Sequence, residues 1–219
     1  MTFNLNRFKE SSALGIIRGA PLILVHNVLD VCLTGGLEFI EFTLNSKESL
    51  SSIELASKKF SDSLCVGAGT VVSVNDAIKA MNSGAQFIVS PTLNEDVALY
   101  CKENKLAYFP GALTPTEIER SWNAGATMVK VFPVSQMGPE YINTLKGPFR
   151  EILMVAVGGV IPSNVGEYLS AGASAVAIGG SVFSAERIKN KEFDTIKTDI
   201  QKFVLAVKLH YSRISNITY

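Results

Sequence analysis

The chain carries little charge, and neither sign prevails. Charged residues make up 18% of its 219 residues, and 20 Lys and Arg balance 20 Asp and Glu. We therefore expect no basic stripe for nucleic acid and no polybasic segment for anionic lipid. No apolar run approaches the roughly 18 residues of a membrane span, and the N-terminus lacks the apolar stretch of a secretory signal. These absences predict a cytoplasmic protein with neither nucleic acid nor a membrane as partner.

Cysteine and histidine are also scarce. Cys32, Cys65 and Cys101 are odd in number and form no Cys-x-x-Cys pair, so we expect buried free thiols in a reducing compartment. The two histidines, His26 and His210, have no cluster of carboxylates beside them in the sequence. The sequence therefore predicts no catalytic metal site.

The sequence is rich in short apolar segments that alternate with amphipathic helical ones, and hydrophobic residues make up 47% of it. Such alternation is typical of parallel strands covered by helices. Eight repeats predict a single domain over residues 1–219, a (β/α)8 TIM barrel with an N-terminal capping helix. A doubly wound open sheet is the alternative, but no GxGxxG motif follows the first strand. The predicted strands are Leu14–Arg18, Phe39–Leu44, Leu64–Ala68, Phe87–Ser90, Ala107–Phe109, Met128–Phe132, Ile152–Val157 and Ala175–Ile178.

An internal repeat strengthens the barrel prediction. Each copy has a glycine that ends a helix, then a small or apolar residue, then a strand. Alternate strands fill one layer of a barrel interior, so side chains at equal distances from the glycine should share a layer. Position five after the glycine holds Glu41, Val89, Lys130 and Ala177, and position three holds Phe39, Phe87, Met128 and Ala175. The repeat thus predicts one carboxylate and one amine at the same height, above an apolar floor.

Lys130 and Glu41 are the candidate catalytic residues. Each lies within an apolar strand, where an isolated charge is costly unless it is paired or functional. Burial lowers the pKa of a lysine, and an uncharged amine attacks carbonyl carbon to form an imine. A nearby glutamate can act as general acid and base. The alternatives are an outward-facing lysine, or a buried structural ion pair between the two residues.

Several residues at the predicted carboxyl ends of strands are candidates for binding anions. Arg18 can grip a carboxylate or a phosphate, although pairing at the barrel rim is an alternative. Thr70 can donate its hydroxyl to the same anion or serve as a turn residue. Glycines in the loops after strands 7 and 8 allow backbone N–H groups to approach a phosphate closely, unless they are ordinary turn residues. Those loop residues are Gly158, Gly159, Gly179, Gly180 and Ser181.

Five motifs between Gly15 and Phe183 carry a family resemblance: Glu41–Ser46, Gly67–Val71, Phe87–Pro91, Lys130–Pro133 and Val157–Asn164. Through them the sequence resembles the KDPG/KHG aldolases, class I aldolases for 2-keto-3-deoxy-6-phosphogluconate and 4-hydroxy-2-oxoglutarate. The resemblance implies a homotrimeric barrel that forms an imine on Lys130, uses Glu41 as acid and base, and binds the pyruvate carboxylate through Thr70. It also implies that the two glycine loops bind the phosphate.

Two departures from the gluconate-type members affect the expected substrate. Asn45 stands where those members usually have Arg, and Val157 stands where they commonly have a Thr that contacts the C4 hydroxyl. With Arg18 on strand 1, both departures are similar to the phosphogalactonate branch, where Arg18 would replace the missing arginine. We favour that branch and expect dual specificity, since valine merely fails to help one epimer.

The expected reaction is cleavage of a phosphorylated 2-keto-3-deoxy sugar acid to pyruvate and D-glyceraldehyde 3-phosphate, without any cofactor because the imine accepts the electrons. Two other functions are weighed against it. A phosphosugar isomerase or epimerase would use Glu41 as base without an imine. A non-catalytic phosphosugar-binding barrel would keep Lys130 and Glu41 as a structural pair.

Overall fold

The computed structural model describes residues 3–215 of the chain. Within these residues the chain forms ten α-helices, one short 3-10 helix and nine strands, in nearly regular alternation. The strands are β1 (Ala13–Ile17), β2 (Phe39–Thr43), β3 (Cys65–Gly69), β4 (Phe87–Val89), β5 (Ala107–Phe109), β6 (Gly111–Ala112), β7 (Val129–Val131), β8 (Met154–Val157) and β9 (Ala175–Ile178). The α-helices are α1 (Leu5–Ser11), α2 (Leu22–Gly35), α3 (Ser49–Lys59), α4 (Val74–Asn82), α5 (Glu95–Glu103), α6 (Pro115–Asn123), α7 (Pro139–Lys146), α8 (Val165–Ser170), α9 (Ala185–Lys189) and α10 (Phe193–Ser215), and the 3-10 helix is Val134–Gln136.

All strands are parallel and follow the order β5-β4-β3-β2-β1-β9-β8-β7-β6. The two ends of this order, β5 and β6, are consecutive in sequence and are separated only by Pro110. β5 pairs with β4, whereas β6 pairs with β7 through Gly111 and Lys130. The two segments therefore form one interrupted strand that closes the sheet on itself. The predicted (β/α)8 barrel is confirmed, and the doubly wound alternative is wrong.

Glycines in the left-handed backbone conformation end the helices before β2, β4, β7 and β9, as the internal repeat predicts. Gly36, Gly84, Gly125 and Gly172 have φ values of 97°, 95°, 95° and 102°. In that conformation a side chain is unfavourable, so glycine is the residue that can turn the chain from helix to strand at low cost. The shared conformation explains why the four repeat copies align without gaps.

Aromatic rings fill the bottom of the barrel. Phe39 and Phe87 point into its interior from β2 and β4 and are almost fully buried, together with Phe109 from β5. Phe8, on α1, packs its ring against Phe39 with centroids 4.9 Å apart. Phe3 adds a second ring beside them. The N-terminal segment with α1 therefore closes the amino-terminal end of the barrel, which leaves the carboxyl end for the site.

The predicted element boundaries agree with the structure to within about two residues for the strands. The amphipathic segment Pro162–Leu169, one of those that alternate with the strands, is helical only from Val165, where α8 begins. Asn164 bonds back to the loop through its side chain, which accepts from the Ile161 N–H at 2.8 Å. Residues 162–164 therefore form a turn instead of the first turn of the helix.

The three cysteines are buried free thiols, as expected. Burial raises the pKa of Cys32 and raises those of Cys65 and Cys101 to about 12, which makes all three unreactive at neutral pH. Within residues 3–215, no helix is both long and apolar enough to cross a membrane.

Candidate active site

Glu41 and Lys130 meet inside the barrel. Both line one small cavity of about 10 Å³, with Ile16 and Val157 among the neighbouring walls. The other residues that line it are Leu14, Val89, Phe109 and Val155. The cavity is therefore an apolar chamber that contains one carboxylate and one amine, as the repeat predicts.

Glu41 occupies the middle of β2 and is 1% exposed. Neither of its carboxylate oxygens has a hydrogen-bond partner within the described part of the chain. Gly69, at the carboxyl end of β3, makes room for the side chain, because a Cβ on Gly69 would lie 2.3 Å from Glu41 Oε1. The carboxylate is thus held by packing against backbone rather than by a bonded partner.

Lys130 occupies the middle of β7 and is 8% exposed. Its backbone N–H donates to the Pro110 carbonyl at 2.9 Å, which ties β7 to the interrupted strand. Its ammonium group lies over the ring of Phe132, 5.1 Å from the ring centroid. Because the Glu41 oxygens accept no hydrogen bond, the two charged groups share a cavity without direct contact.

The electrostatics of the cavity move the two groups toward their uncharged forms. Burial raises the pKa of Glu41, against the opposing effects of Lys130 and then Arg18. Burial also lowers the pKa of Lys130, while Glu41 opposes that shift and Arg18 adds to it. An amine with a lowered pKa beside a carboxyl with a raised pKa can attack a carbonyl and exchange protons with the adduct.

Arg18 is exposed and directly follows β1, above the cavity. Its loop is fixed by the segment after β2. The Gly19 N–H donates to Ser46 Oγ at 2.9 Å, and the Leu22 N–H donates to Glu48 Oε2 at 2.8 Å. The positive charge of Arg18 lowers the pKa of both Glu41 and Lys130, so it is close enough to the cavity to influence both groups.

Thr70 directly follows β3 and has a backbone φ of 57°. A β-branched residue rarely adopts this left-handed conformation, which costs free energy of order 1–3 kcal/mol. Backbone strain of this kind concentrates at functional sites. The strain and the half-buried position of Thr70 at the mouth fit its expected role in binding an anion.

The glycine loops also lie at the carboxyl end of the barrel. Gly158 and Gly159 follow β8 with φ values of 96° and 78°, and Gly180 and Ser181 are exposed after β9. Within residues 3–215, the N–H groups of Gly159, Gly180 and Ser181 donate no hydrogen bond to other parts of the chain. The first loop is braced by Asn164, whose Nδ2 donates to the Gly159 carbonyl at 3.0 Å. Together the loops present free N–H groups that can receive an anion.

The structure brings every predicted site residue to the carboxyl end of the barrel or to the cavity below it. It also adds residues that were not singled out as site residues: Gly69, Phe132, Ser46, Glu48 and Asn164. Gly69, Ser46 and Glu48 contact residues distant in sequence, so local spacing does not reveal their roles. Phe132 and Asn164 contact residues two to five positions away. Among the described residues, no group of three or more His, Cys, Asp or Glu side chains could hold a metal ion.

Comparison with known proteins agrees with this geometry. A family model described as KDPG and KHG aldolase matches residues 5–198. The chain belongs to the KDPG and KHG aldolase family. The chain is 32% identical over 172 residues to 2-dehydro-3-deoxy-6-phosphogalactonate aldolase of Escherichia coli strain K12, covering 78% of this chain and 82% of the relative. It is also 32% identical over 192 residues to 2-dehydro-3-deoxy-phosphogluconate aldolase of Treponema pallidum strain Nichols, covering 84% and 90%.

A solved structure described as native KDPGal is similar throughout. It superposes with a TM-score of 0.88 at 26% identity and covers 97% of this chain and 100% of that chain. The resemblance inferred from the motifs is therefore confirmed at the level of the family and of the fold. Relatives named for both C4 epimers are equally identical to the chain, so identity alone does not select a branch.

Proposed function

We propose that the chain is a class I aldolase that cleaves 2-keto-3-deoxy-6-phospho sugar acids to pyruvate and D-glyceraldehyde 3-phosphate. The observation that carries the proposal is the pair of nearly buried groups, Glu41 and Lys130, that line one cavity without a direct bond. A structural ion pair at such depth needs direct hydrogen bonds to offset its desolvation. A nucleophile and a proton carrier instead act on the substrate, so neither needs a direct bond to the other.

In the proposed reaction, the uncharged Lys130 amine attacks the C2 ketone to form a carbinolamine. Protonated Glu41 then gives its proton to the departing hydroxyl, so that water leaves, a protonated imine forms and Glu41 becomes a carboxylate. Glu41 takes the proton of the C4 hydroxyl, and the C3–C4 bond breaks. Its electron pair forms the C2–C3 double bond of an enamine, and the imine pair moves to nitrogen. The aldehyde leaves, Glu41 returns its proton to C3, and water releases pyruvate from Lys130. The nitrogen accepts the electrons, so no metal or organic cofactor takes part.

The expected binding roles follow from position. Arg18 and Thr70 lie at the entrance nearest Glu41 and are assigned to the carboxylate of the substrate. Gly158, Gly159, Gly179, Gly180 and Ser181, in the loops after β8 and β9, are assigned to the phosphate. Val157 ends β8, is 4% exposed and lines the cavity. It offers no hydrogen bond to a C4 hydroxyl, which supports our preference for the phosphogalactonate branch with dual specificity.

The test compares kcat/KM for pyruvate release from the phosphogalactonate epimer, the phosphogluconate epimer and unphosphorylated 4-hydroxy-2-oxoglutarate. We expect turnover of both phosphorylated epimers, with the galactonate epimer preferred. Lys130→Arg should abolish release, and Glu41→Gln should lower kcat by about 10²–10⁴-fold. Activity that survives Lys130→Arg would favour the isomerase or epimerase. Binding of the phosphorylated substrates without any turnover would favour the non-catalytic barrel.

We also infer a homotrimer in the cytoplasm. The family resemblance supports the trimer, and the three buried free thiols fit a reducing compartment. Val72 in the loop before α4, Ile78 on α4 and Leu99 on α5 expose apolar side chains in the single copy and are candidates for the interface. Sedimentation equilibrium should give three times the 23.6 kDa mass of the chain. A monomeric mass at micromolar concentration would contradict the trimer.

A further inference from the structure

Phe132 occupies the space between the Lys130 amine and the glycine loop after β8. It lies two residues after Lys130 in the same strand direction, and alternation along a strand places residues i and i+2 on one face. Its backbone N–H donates to the Ala112 carbonyl at 3.0 Å, which extends the pairing of β7 with β6 beyond Val131. The backbone that carries the ring is therefore fixed.

The Phe132 ring faces the Lys130 amine on one side and packs against the Gly158 backbone on another. Lys130 Nζ lies over the ring at 5.1 Å from the centroid, within the roughly 6 Å over which a cation and a ring face attract each other. A Cβ on Gly158 would lie 3.4 Å from the ring carbon Cδ2, so the loop backbone already lies against the ring. The side chain is 39% exposed, on the mouth side.

The charge on the nitrogen changes during the proposed reaction. The attacking amine and the enamine are uncharged, whereas the imine that joins them carries a full positive charge. That nitrogen lies in an apolar cavity, where burial disfavours a cation. Glu41, on β2, makes no direct bond to it, and Arg18, after β1, repels it. The aromatic face of Phe132, 5.1 Å from the nitrogen, can favour the cation without accepting a proton.

We propose, on the basis of the proposed function, that the face of the Phe132 ring stabilises the protonated imine that Lys130 forms with its substrate. The ring takes no part in bond making. It raises the population of the charged intermediate relative to the uncharged amine, and so increases the fraction of enzyme that can cleave the C3–C4 bond.

The test is a series of fluorinated phenylalanines at position 132, with one, two and three fluorine atoms. Fluorine withdraws electron density from the ring face with little change in size, so it weakens attraction to a cation but not apolar packing. The readout is the pyruvate concentration that half-saturates borohydride trapping on Lys130. It is measured at a pH high enough that the free amine is uncharged, so that fluorination acts on the charged imine and not on a free ammonium group.

We expect the half-saturating pyruvate concentration to rise stepwise with each fluorine, by roughly 5- to 30-fold over the series. Phe132→Leu should raise it by a similar factor, and Phe132→Tyr should leave it nearly unchanged because tyrosine keeps the ring face. The same fluorinated residues at Phe149, which is half-buried and packs against the outer core, should have no effect.

A flat fluorine series, or Phe132→Tyr as impaired as Phe132→Leu, would overturn the proposal. These outcomes differ from failure of the proposed function. If the unmodified enzyme turns over substrate without trapping pyruvate on Lys130, the imine itself is wrong. If it traps normally and the fluorine series is flat, only the role of Phe132 is wrong.

Discussion

At the scale of single residues, the site depends on two groups whose pKa values move in opposite directions. Burial raises the pKa of Glu41, so stability that its carboxyl contributes is present at low pH and is lost as pH rises through the folded-state pKa. Burial lowers the pKa of Lys130, so its contribution is present at high pH and is lost as pH falls through the folded-state pKa. Each charged form is costly in the fold, and for Lys130 this cost favours the uncharged amine, which is the reactive form.

Arg18 should control the pH range of imine formation. Its positive charge lowers the pKa of both Lys130 and Glu41. Arg18→Met should therefore move the acidic limb of the pH profile for borohydride trapping to higher pH, measured at saturating pyruvate to exclude effects on binding. Arg18→Lys, which keeps the charge, is the control. A profile that stays in place, or moves to lower pH, would show that Arg18 does not act on the cavity.

Gly69 should control the position of Glu41. A Cβ there would lie 2.3 Å from Glu41 Oε1, the far end of a flexible side chain. Gly69→Ala should therefore displace the carboxylate at little cost in stability and lower kcat by about 100-fold, since a displacement of about 1 Å can have that effect.

Gly166, on α8, is the matched control for Gly69. A Cβ on Gly166 would meet nothing within 4 Å, so Gly166→Ala should leave kcat unchanged and stabilise the fold by up to about 1 kcal/mol. Equal kcat values for the two alanine variants would contradict the account of Gly69.

At the scale of elements, the anion-binding loops depend on side chains that brace them. Asn164 bonds two points of the loop after β8, through Ile161 N–H at 2.8 Å and the Gly159 carbonyl at 3.0 Å. A cradle of backbone N–H groups binds an anion well only if the loop is held in one conformation. The late start of α8 is a consequence of this brace, because the residues before it are committed to the loop.

Asn164→Ala should weaken binding of the phosphorylated substrate selectively. Loss of two hydrogen bonds should raise KM by about 3- to 10-fold for the 6-phospho sugar acid, with little change for 4-hydroxy-2-oxoglutarate, which has no phosphate. Asn143→Ala is the control, since the Asn143 side chain makes an exposed bond to Glu140 on α7, away from the loop after β8. If both substrates lose affinity equally, the brace does not serve the phosphate.

The sequence predicts the elements better than it predicts their irregularities. Strand periods and glycine caps are local signals, and they locate the strands and the layer that holds Glu41 and Lys130. Pro110 interrupts the strand between β5 and β6 because proline has no backbone N–H to donate. The barrel closes there because β5 pairs with β4 and β6 pairs with β7, which the local sequence does not reveal. Gly69 is likewise identified by its contact with Glu41 on the neighbouring strand, which spacing along one strand does not reveal.

At the scale of the whole molecule, stability and chemistry lie at opposite ends of the barrel. The rings of Phe3, Phe8, Phe39 and Phe87 pack at the amino-terminal end, whereas the candidate site opens at the carboxyl end. This division is typical of the fold, in which the carboxyl-end loops carry function and the opposite face contributes stability.

Phe8→Ala should therefore test stability without testing catalysis. Phe8 is 1% exposed and packs on Phe39 and Phe109, so its removal should lower the free energy of unfolding by about 3–5 kcal/mol. The kcat measured well below the new Tm should stay within about twofold of the original. Leu205→Ala, at a side chain that is 55% exposed, should change stability by less than about 0.5 kcal/mol. A large loss of kcat in Phe8→Ala would contradict the separation of the two ends.

The central claim, that Lys130 forms an imine in a cavity shared with Glu41, is tested most directly by reduction in the presence of pyruvate. The enzyme is treated with pyruvate and borohydride, digested, and analysed by mass spectrometry. We predict one three-carbon adduct per chain, located on Lys130, with loss of activity in proportion to its formation and no adduct in Lys130→Arg. An enzyme that cleaves the substrate but gains no adduct on Lys130, or gains it on another lysine, would contradict the account.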